Sequence, residues 1–211
     1  MKLQLALDLV DIPAAKLVVK EVADYIDIVE IGTPVVINEG LRAVKELKAE
    51  FPSLEVLADL KIMDAGGYEV IKASEAGADI ITVLAVSDND TIRGAVEQAR
   101  KLNKKIMVDM INVPDIAARA QEVDSLGVDY ICVHSGYDHQ AAGKNSFEDL
   151  AVIKSVVRNA QTAIAGGIKL GTLPEVIKAA PDLVIVGGGI TSQDDKKAVA
   201  AQMRQLIAQG Q

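Results

Sequence analysis

Short apolar runs alternate along this chain with longer stretches in which apolar positions recur every three or four residues, the pattern of strands followed by amphipathic helices. The short runs are Leu3–Asp8, Ile26–Ile31, Val56–Lys61, Asp79–Leu84, Lys105–Met110, Asp129–His134, Thr162–Gly166 and Asp182–Val186. They predict eight strands, and helical spacing fills roughly 14–24, 38–50, 66–76, 89–102, 114–125, 146–158, 172–179 and 192–208. Helix starts are marked by Asp11 before Pro13, by Thr172 before Pro174 and Glu175, and by Ser192 before Asp194 and Asp195. Gly77 and Gly127 stand where a glycine closes a helix. Segments 75–83 and 125–133 share Gly, Asp, Ile and Val at matching places, two βα units apart.

Eight βα units with near-continuous apolar strands predict a (β/α)₈ TIM barrel, an α/β fold, with a doubly wound open sheet as the alternative. No linker, low-complexity tract or charge block interrupts the 211 residues, so residues 1–211 are expected to form one domain. Side-chain alternation separates the two folds. In the first strand Leu3, Leu5 and Leu7 share one face, which suits packing against helices, while Gln4, Ala6 and Asp8 share the other. The same parity turns Glu30, Asp59, Lys61, Asp109 and His134 inward, each at or near the C-terminal end of its strand. Barrel active sites lie at that end, and five strands, counting the first with Asp8, delivering ionisable groups to one rim are hard to explain as packing.

Composition narrows the chemistry. The chain is half apolar but has no Trp, two Phe and four Tyr, so its core rests on Val, Ile, Leu and Ala, as in helix-covered parallel sheets. A net charge of -8 disfavours nucleic acid and anionic membrane surfaces as partners. A single cysteine, Cys132, permits no intrachain disulfide, and it is expected to be a buried, inert thiol. With neither a signal-peptide pattern nor a membrane-length apolar run, the expectation is a soluble, cytoplasmic protein.

At the rim, Asp8, Glu30, Asp59 and Asp109 face a single Lys61. Like charges about 4 Å apart cost about 4 kcal/mol per pair at an effective dielectric near 20. Either some carboxylates are protonated or a divalent cation sits among them. Oxygen ligands favour Mg²⁺ over zinc, and Glu30 with Asp59, on neighbouring strands, is the best-placed pair. Gly166 and Gly167 follow the seventh strand, and Gly187, Gly188 and Gly189 follow the eighth. In barrels these loops commonly bind phosphate through backbone amides, which implies a phosphorylated substrate.

Asp59, Lys61 and Asp64 form an Asp-x-Lys-x-x-Asp motif on the third strand, and it occurs together with Asp8, Val29–Pro34, Val108–Ile111, Cys132–Asp138, Ile164–Ile168 and Val186–Ile190. The combination resembles the hexulose-phosphate synthase branch of the orotidine-monophosphate decarboxylase suprafamily along essentially the whole chain. Glu30 stands where the nucleotide decarboxylases carry lysine. Tyr137 and the pair Gly187-Gly188 stand where ketogulonate-phosphate decarboxylases carry arginine and Gly-Arg. The resemblance implies a magnesium-dependent aldol reaction of D-ribulose 5-phosphate with formaldehyde through an enediolate.

It further implies Glu30 and Asp59 as Mg²⁺ ligands, His134 as general base and Lys61 as the cation beside the enediolate. Asp8, Asp109 and a partner subunit's copy of Asp64 would orient these groups and the sugar hydroxyls, within a homodimer whose Ile62, Met63 and Tyr68 suit the interface. Gly166, Gly167, Gly187 and Gly188 would take the phosphate. His139 reads as a solvated surface residue. The competing readings are a 3-keto-L-gulonate 6-phosphate decarboxylase, distinguished by CO₂ release, a Schiff-base aldolase, distinguished by indifference to chelators, and a non-catalytic sugar-phosphate binding protein, which would not exchange the C1 proton.

Overall fold

In a computed structural model describing residues 1–8, 11–136, 138 and 146–210, eight parallel strands close into a barrel in sequence order. They are β1 (Lys2–Leu7), β2 (Ile28–Ile31), β3 (Glu55–Ile62), β4 (Ile80–Leu84), β5 (Lys105–Asp109), β6 (Tyr130–His134), β7 (Gln161–Ala165) and β8 (Leu183–Val186), with β8 pairing back to β1. The open-sheet alternative is thereby excluded. Tyr137 and His139 lie outside the described residues. Among the described residues no helix is long and apolar enough to cross a membrane.

The outer layer comprises α1 (Ile12–Val22), α2 (Thr33–Glu39), α3 (Arg42–Glu50), α4 (Gly66–Glu75), α5 (Asn89–Lys101), α6 (Ile116–Ser125), α7 (Phe147–Val156), α8 (Leu173–Ala179), the short α9 (Gly188–Thr191) and α10 (Lys196–Gln209). Asp11 caps α1 by accepting the Ala14 amide. The helix expected over 38–50 begins only at Arg42, and a separate helix not expected from the sequence, α2, precedes it, the two being divided at Gly40, which adopts φ +63°. Nor does Ser192 start the last helix; Asp195 does, accepting the Ala198 amide. The Thr172 hydroxyl caps nothing in α8 and instead exchanges hydrogen bonds with the backbone of Lys169.

Strand parity follows the leucine pattern. Leu3, Leu5 and Leu7 enter the layer between strands and helices, whereas Ala6, Ile28, Leu57, Ile80, Met107, Tyr130, Cys132, Ala163, Leu183 and Ile185 fill the barrel lumen. The middle of that lumen is apolar and packed, and polar residues of the same parity lie at its two ends, with Lys2, Glu55 and Lys105 paired at the lower mouth and the ionisable rim above. Ile62, which from sequence suited a subunit interface, is 1% exposed and belongs to the core; Met63 and Tyr68 beside it are exposed.

A fourfold regularity runs around the lower end. Asp27, Asp79, Asp129 and Asp182 precede the even strands, and each carboxylate accepts an amide near the start of the preceding odd strand, from Leu3, Val56, Ile106 and Thr162 respectively. The likeness between segments 75–83 and 125–133 is the visible part of this repeat.

Candidate active site

A cavity of about 840 Å³ opens at the C-terminal end of the barrel, lined among others by Asp8, Glu30, Asp59, Lys61, Asp109 and His134. Four of these side chains, Asp59, Lys61, Asp109 and His134, form a connected set. The Lys61 ammonium lies 2.5 Å from Asp59 Oδ2 and 3.5 Å from Asp109 Oδ2, and the latter oxygen meets His134 Nδ1 at 2.8 Å. The Ile111 amide donates to the other Asp109 oxygen at 2.9 Å. With Nδ1 bonded to a carboxylate, His134 carries its hydrogen there and leaves Nε2 as the basic nitrogen.

The charges are shifted in the directions this geometry requires. Burial alone would raise the Asp109 carboxyl, but the His134 ring, the Lys61 charge and the Ile111 amide outweigh it and hold the group below its usual range. Burial would likewise lower the Lys61 ammonium, yet Asp59 and Asp109 raise it above the ordinary lysine value, so it remains a cation. Glu30 goes the other way. It is 8% exposed, and burial followed by the charges of Asp59 and Asp8 pushes it well above the carboxylate range, with Lys61 and Gln4 only partly offsetting them. Cys132 is buried in the lumen with its thiol pushed up by that burial, which makes it a poor nucleophile.

Several contributors were not visible in the sequence. Thr33 and Thr82 donate to the two oxygens of Asp59, each at 2.8 Å. Gln4, fully buried below the rim, donates to Glu30 Oε2 at 2.5 Å, and its own Oε1 has no partner among the described residues. Lys169, in the loop after β7, also lines the cavity. Thr33, Thr82 and Gln4 carried no signal beyond being polar residues of inward parity or next to a strand end.

The glycines shape the opposite wall. Gly166 and Gly167 take φ +102° and +67°, and a side chain on Gly166 would strike the Ser135 carbonyl. With Gly187, Gly188 and Gly189 they line the cavity together with Lys169, Thr191 and Ser192. Asp8 sits against this wall, where a Cβ on Gly187 would lie 3.3 Å from its Oδ2, and on its other side a Cβ on Gly32 would come within 2.2 Å of its Oδ1. The one predicted site residue not brought in is Asp64. It is exposed, accepts the amide of Ala65, and borders a separate depression with Asp88 and Arg119.

Among the described residues no group of three His, Cys, Asp or Glu side chains is arranged to hold a metal ion. Magnesium does not require one, since it keeps several waters and commonly takes one or two carboxylates plus substrate oxygens. Glu30 and Asp59 fit that role by their oxygen donors, and a cation beside them would offset the burial and the neighbouring carboxylates that disfavour the Glu30 charge.

Comparison with known proteins agrees with this geometry. Residues 1–203 match the model of the Orotidine 5'-phosphate decarboxylase / HUMPS family. The chain belongs to this family. It is 73% identical over 210 residues to a 3-hexulose-6-phosphate synthase of Bacillus subtilis (strain 168), covering all of both chains. A 3-hexulose-6-phosphate synthase of Staphylococcus aureus (strain MSSA476) is 51% identical over 207 residues, covering 98% of this chain and 99% of the relative. The crystal structure of 3-hexulose-6-phosphate synthase from Salmonella typhimurium superposes with a TM-score of 0.98 at 43% identity over the whole of both chains. This family member is an enzyme of the lyase type, as those relatives are, which removes the reading as a non-catalytic binding protein.

Proposed function

We propose that the chain catalyses the magnesium-dependent aldol condensation of D-ribulose 5-phosphate with formaldehyde to D-arabino-hex-3-ulose 6-phosphate, and its reverse. The observation that carries this reading is the joining of Lys61, Asp59, Asp109 and His134 by contacts of 2.5 to 3.5 Å in one cavity that the glycine loops also line. The names of the similar synthases support the same reaction.

The glycine loops after β7 and β8 would take the phosphate, with Lys169 adding charge at that wall. His134 Nε2 removes the C1 proton, while Asp109 stabilises the imidazolium that forms. Lys61 holds positive charge beside the developing enediolate, and Asp59, pinned by Thr33 and Thr82, keeps Lys61 in place. A Mg²⁺ ion held by Glu30 and Asp59 would supply Lewis-acid stabilisation of the ketose oxygens. C1 then bonds to the formaldehyde carbon, and the new alkoxide takes the proton back from His134. The former C2 carbonyl becomes C3 of the hexulose.

Two-fold pairing of chains completes the site in this reading. Asp64 is outside its own cavity, and exposed Met63, Tyr68, Ile37 and Val86 occupy loops and helices at this end of the barrel, a surface suited to a second copy. Formaldehyde disappearance with ribulose 5-phosphate is the direct test. Mg²⁺-dependent consumption that stops in EDTA is expected; no consumption, or CO₂ release from 3-keto-L-gulonate 6-phosphate at a higher rate, would refute the assignment.

A further inference from the structure

Strand β3 does not run straight into its catalytic end. Ala58 pairs with Ile81 and Ile62 with Val83, so four residue steps on β3 are matched to two on β4. Residues 59–61 therefore bulge opposite Thr82 alone. Within the bulge Lys61 takes φ +47°, a left-handed conformation that a lysine rarely adopts without being held there.

What holds it is one hydroxyl. Thr82, 4% exposed, accepts the Lys61 amide at 2.9 Å and donates to Asp59 Oδ1 at 2.8 Å. The amide of Lys61 thus finds its partner in a side chain in place of a neighbouring-strand carbonyl. The same hydroxyl fixes the carboxylate that the Lys61 ammonium touches, so backbone and side chain of Lys61 are registered against a single atom. Valine has the same shape without the hydroxyl, and would leave the Lys61 N–H facing a methyl group.

We propose that Thr82 is a positioning residue that locks the β3 bulge and so holds the Lys61 ammonium between Asp59 and Asp109. The proposal rests on the reading of Lys61 as the cation of the site, but two of its three tests use no substrate. Thr82→Val is expected to lower kcat about 10- to 100-fold with KM within about threefold, because a misplaced catalytic group costs on that scale. Acylation of Lys61, followed by peptide mass analysis, should run about tenfold faster or more in Thr82→Val as the ammonium leaves its carboxylates, and Thr82→Ser should restore both properties.

Hydrogen exchange in the unsubstituted protein does not depend on any variant folding. The Lys61 amide should exchange about 100-fold or more below its unstructured rate. Exchange of that amide at the unstructured rate would overturn the proposal, as would a folded Thr82→Val protein with unchanged kcat and unchanged Lys61 acylation. Failure of the unsubstituted protein to consume formaldehyde would refute the proposed reaction and leave the acylation and exchange results to decide the role of Thr82.

Discussion

At the lower end of the barrel, Asp27, Asp79, Asp129 and Asp182 each take a backbone N–H from the preceding strand, and two also meet cations, Arg204 at Asp27 and Lys48 with Lys104 at Asp79. At the upper end, Glu30, Asp59 and Asp109 crowd a cavity in which Lys61 serves two carboxylates. The same kind of side chain closes the strands below and is left in electrostatic excess above. In the lower set every carboxylate has at least one backbone amide and the arrangement repeats every two strands. The upper set breaks the repeat, and its mismatch is what a metal and an anionic reaction intermediate would use.

The largest expected effect lies at the upper end. His134→Asn should reduce C1 proton exchange in deuterated water by about 10²- to 10⁴-fold while substrate affinity stays within about tenfold, as for a general base. Unchanged exchange would place the base elsewhere. Next, Lys169→Ala should raise KM for the phosphorylated ketose by about tenfold or more, the worth of a charged hydrogen bond of about 1.5–3 kcal/mol, with little change in kcat. A KM left intact would leave the phosphate to the amides alone.

Mixing inactive Lys61→Ala and Asp64→Ala chains should recover roughly a quarter of normal activity, since half of randomly formed dimers are hybrids with one intact site. Recovery is measured after subunit exchange has been verified by mass; none would mean that Asp64 acts within its own chain.

The smallest effects, and the sharpest contrast, are in stability. Burial opposes ionisation of Asp79, but Lys48, the Val56 amide and Lys104 outweigh it and lower its titration. Its contribution is therefore present above the ordinary carboxylate value and lost as pH falls through the depressed one, and Asp79→Asn should destabilise the protein at neutral pH but not in strong acid. Glu30 has the opposite sign. Its raised titration favours folding at low pH and costs stability as pH rises, so Glu30→Gln in chelator should raise Tm at neutral pH by about 2 °C or more, with the gain vanishing near pH 4. Melting curves across pH check both, and like signs for the two substitutions would erase the distinction between the ends.

Strand parity was legible because a period of two is strict, and once Leu3, Leu5 and Leu7 faced the helices, the inward residues Glu30, Asp59, Asp109 and His134 followed. Lys61 was placed correctly for an incomplete reason, since alternation does not reveal a bulge whose partner, Thr82, looks like an ordinary β-branched strand residue. Lys169 was missed because nothing local distinguishes a lysine at a cavity wall from one on a surface. Helix α2 was not legible because it is a short helix of 7 residues, with Pro34 in its first turn, that buries only Val35, too little apolar periodicity to read. Of the fourfold aspartate ring only the likeness between 75–83 and 125–133 was apparent, because around Asp27 and Asp182 the flanking residues differ while the carboxylate-to-amide bond persists.

The carboxylate excess at the upper rim is the proposed cation site. Calorimetric titration of Mg²⁺ into the chelator-stripped protein measures it directly, alongside Glu30→Gln, Asp59→Asn and Asp79→Asn. One site per chain is expected, lost or weakened about 10-fold or more on substituting Glu30 or Asp59 and retained on substituting Asp79. Equal binding in all four proteins, or none in the unsubstituted one, would contradict it.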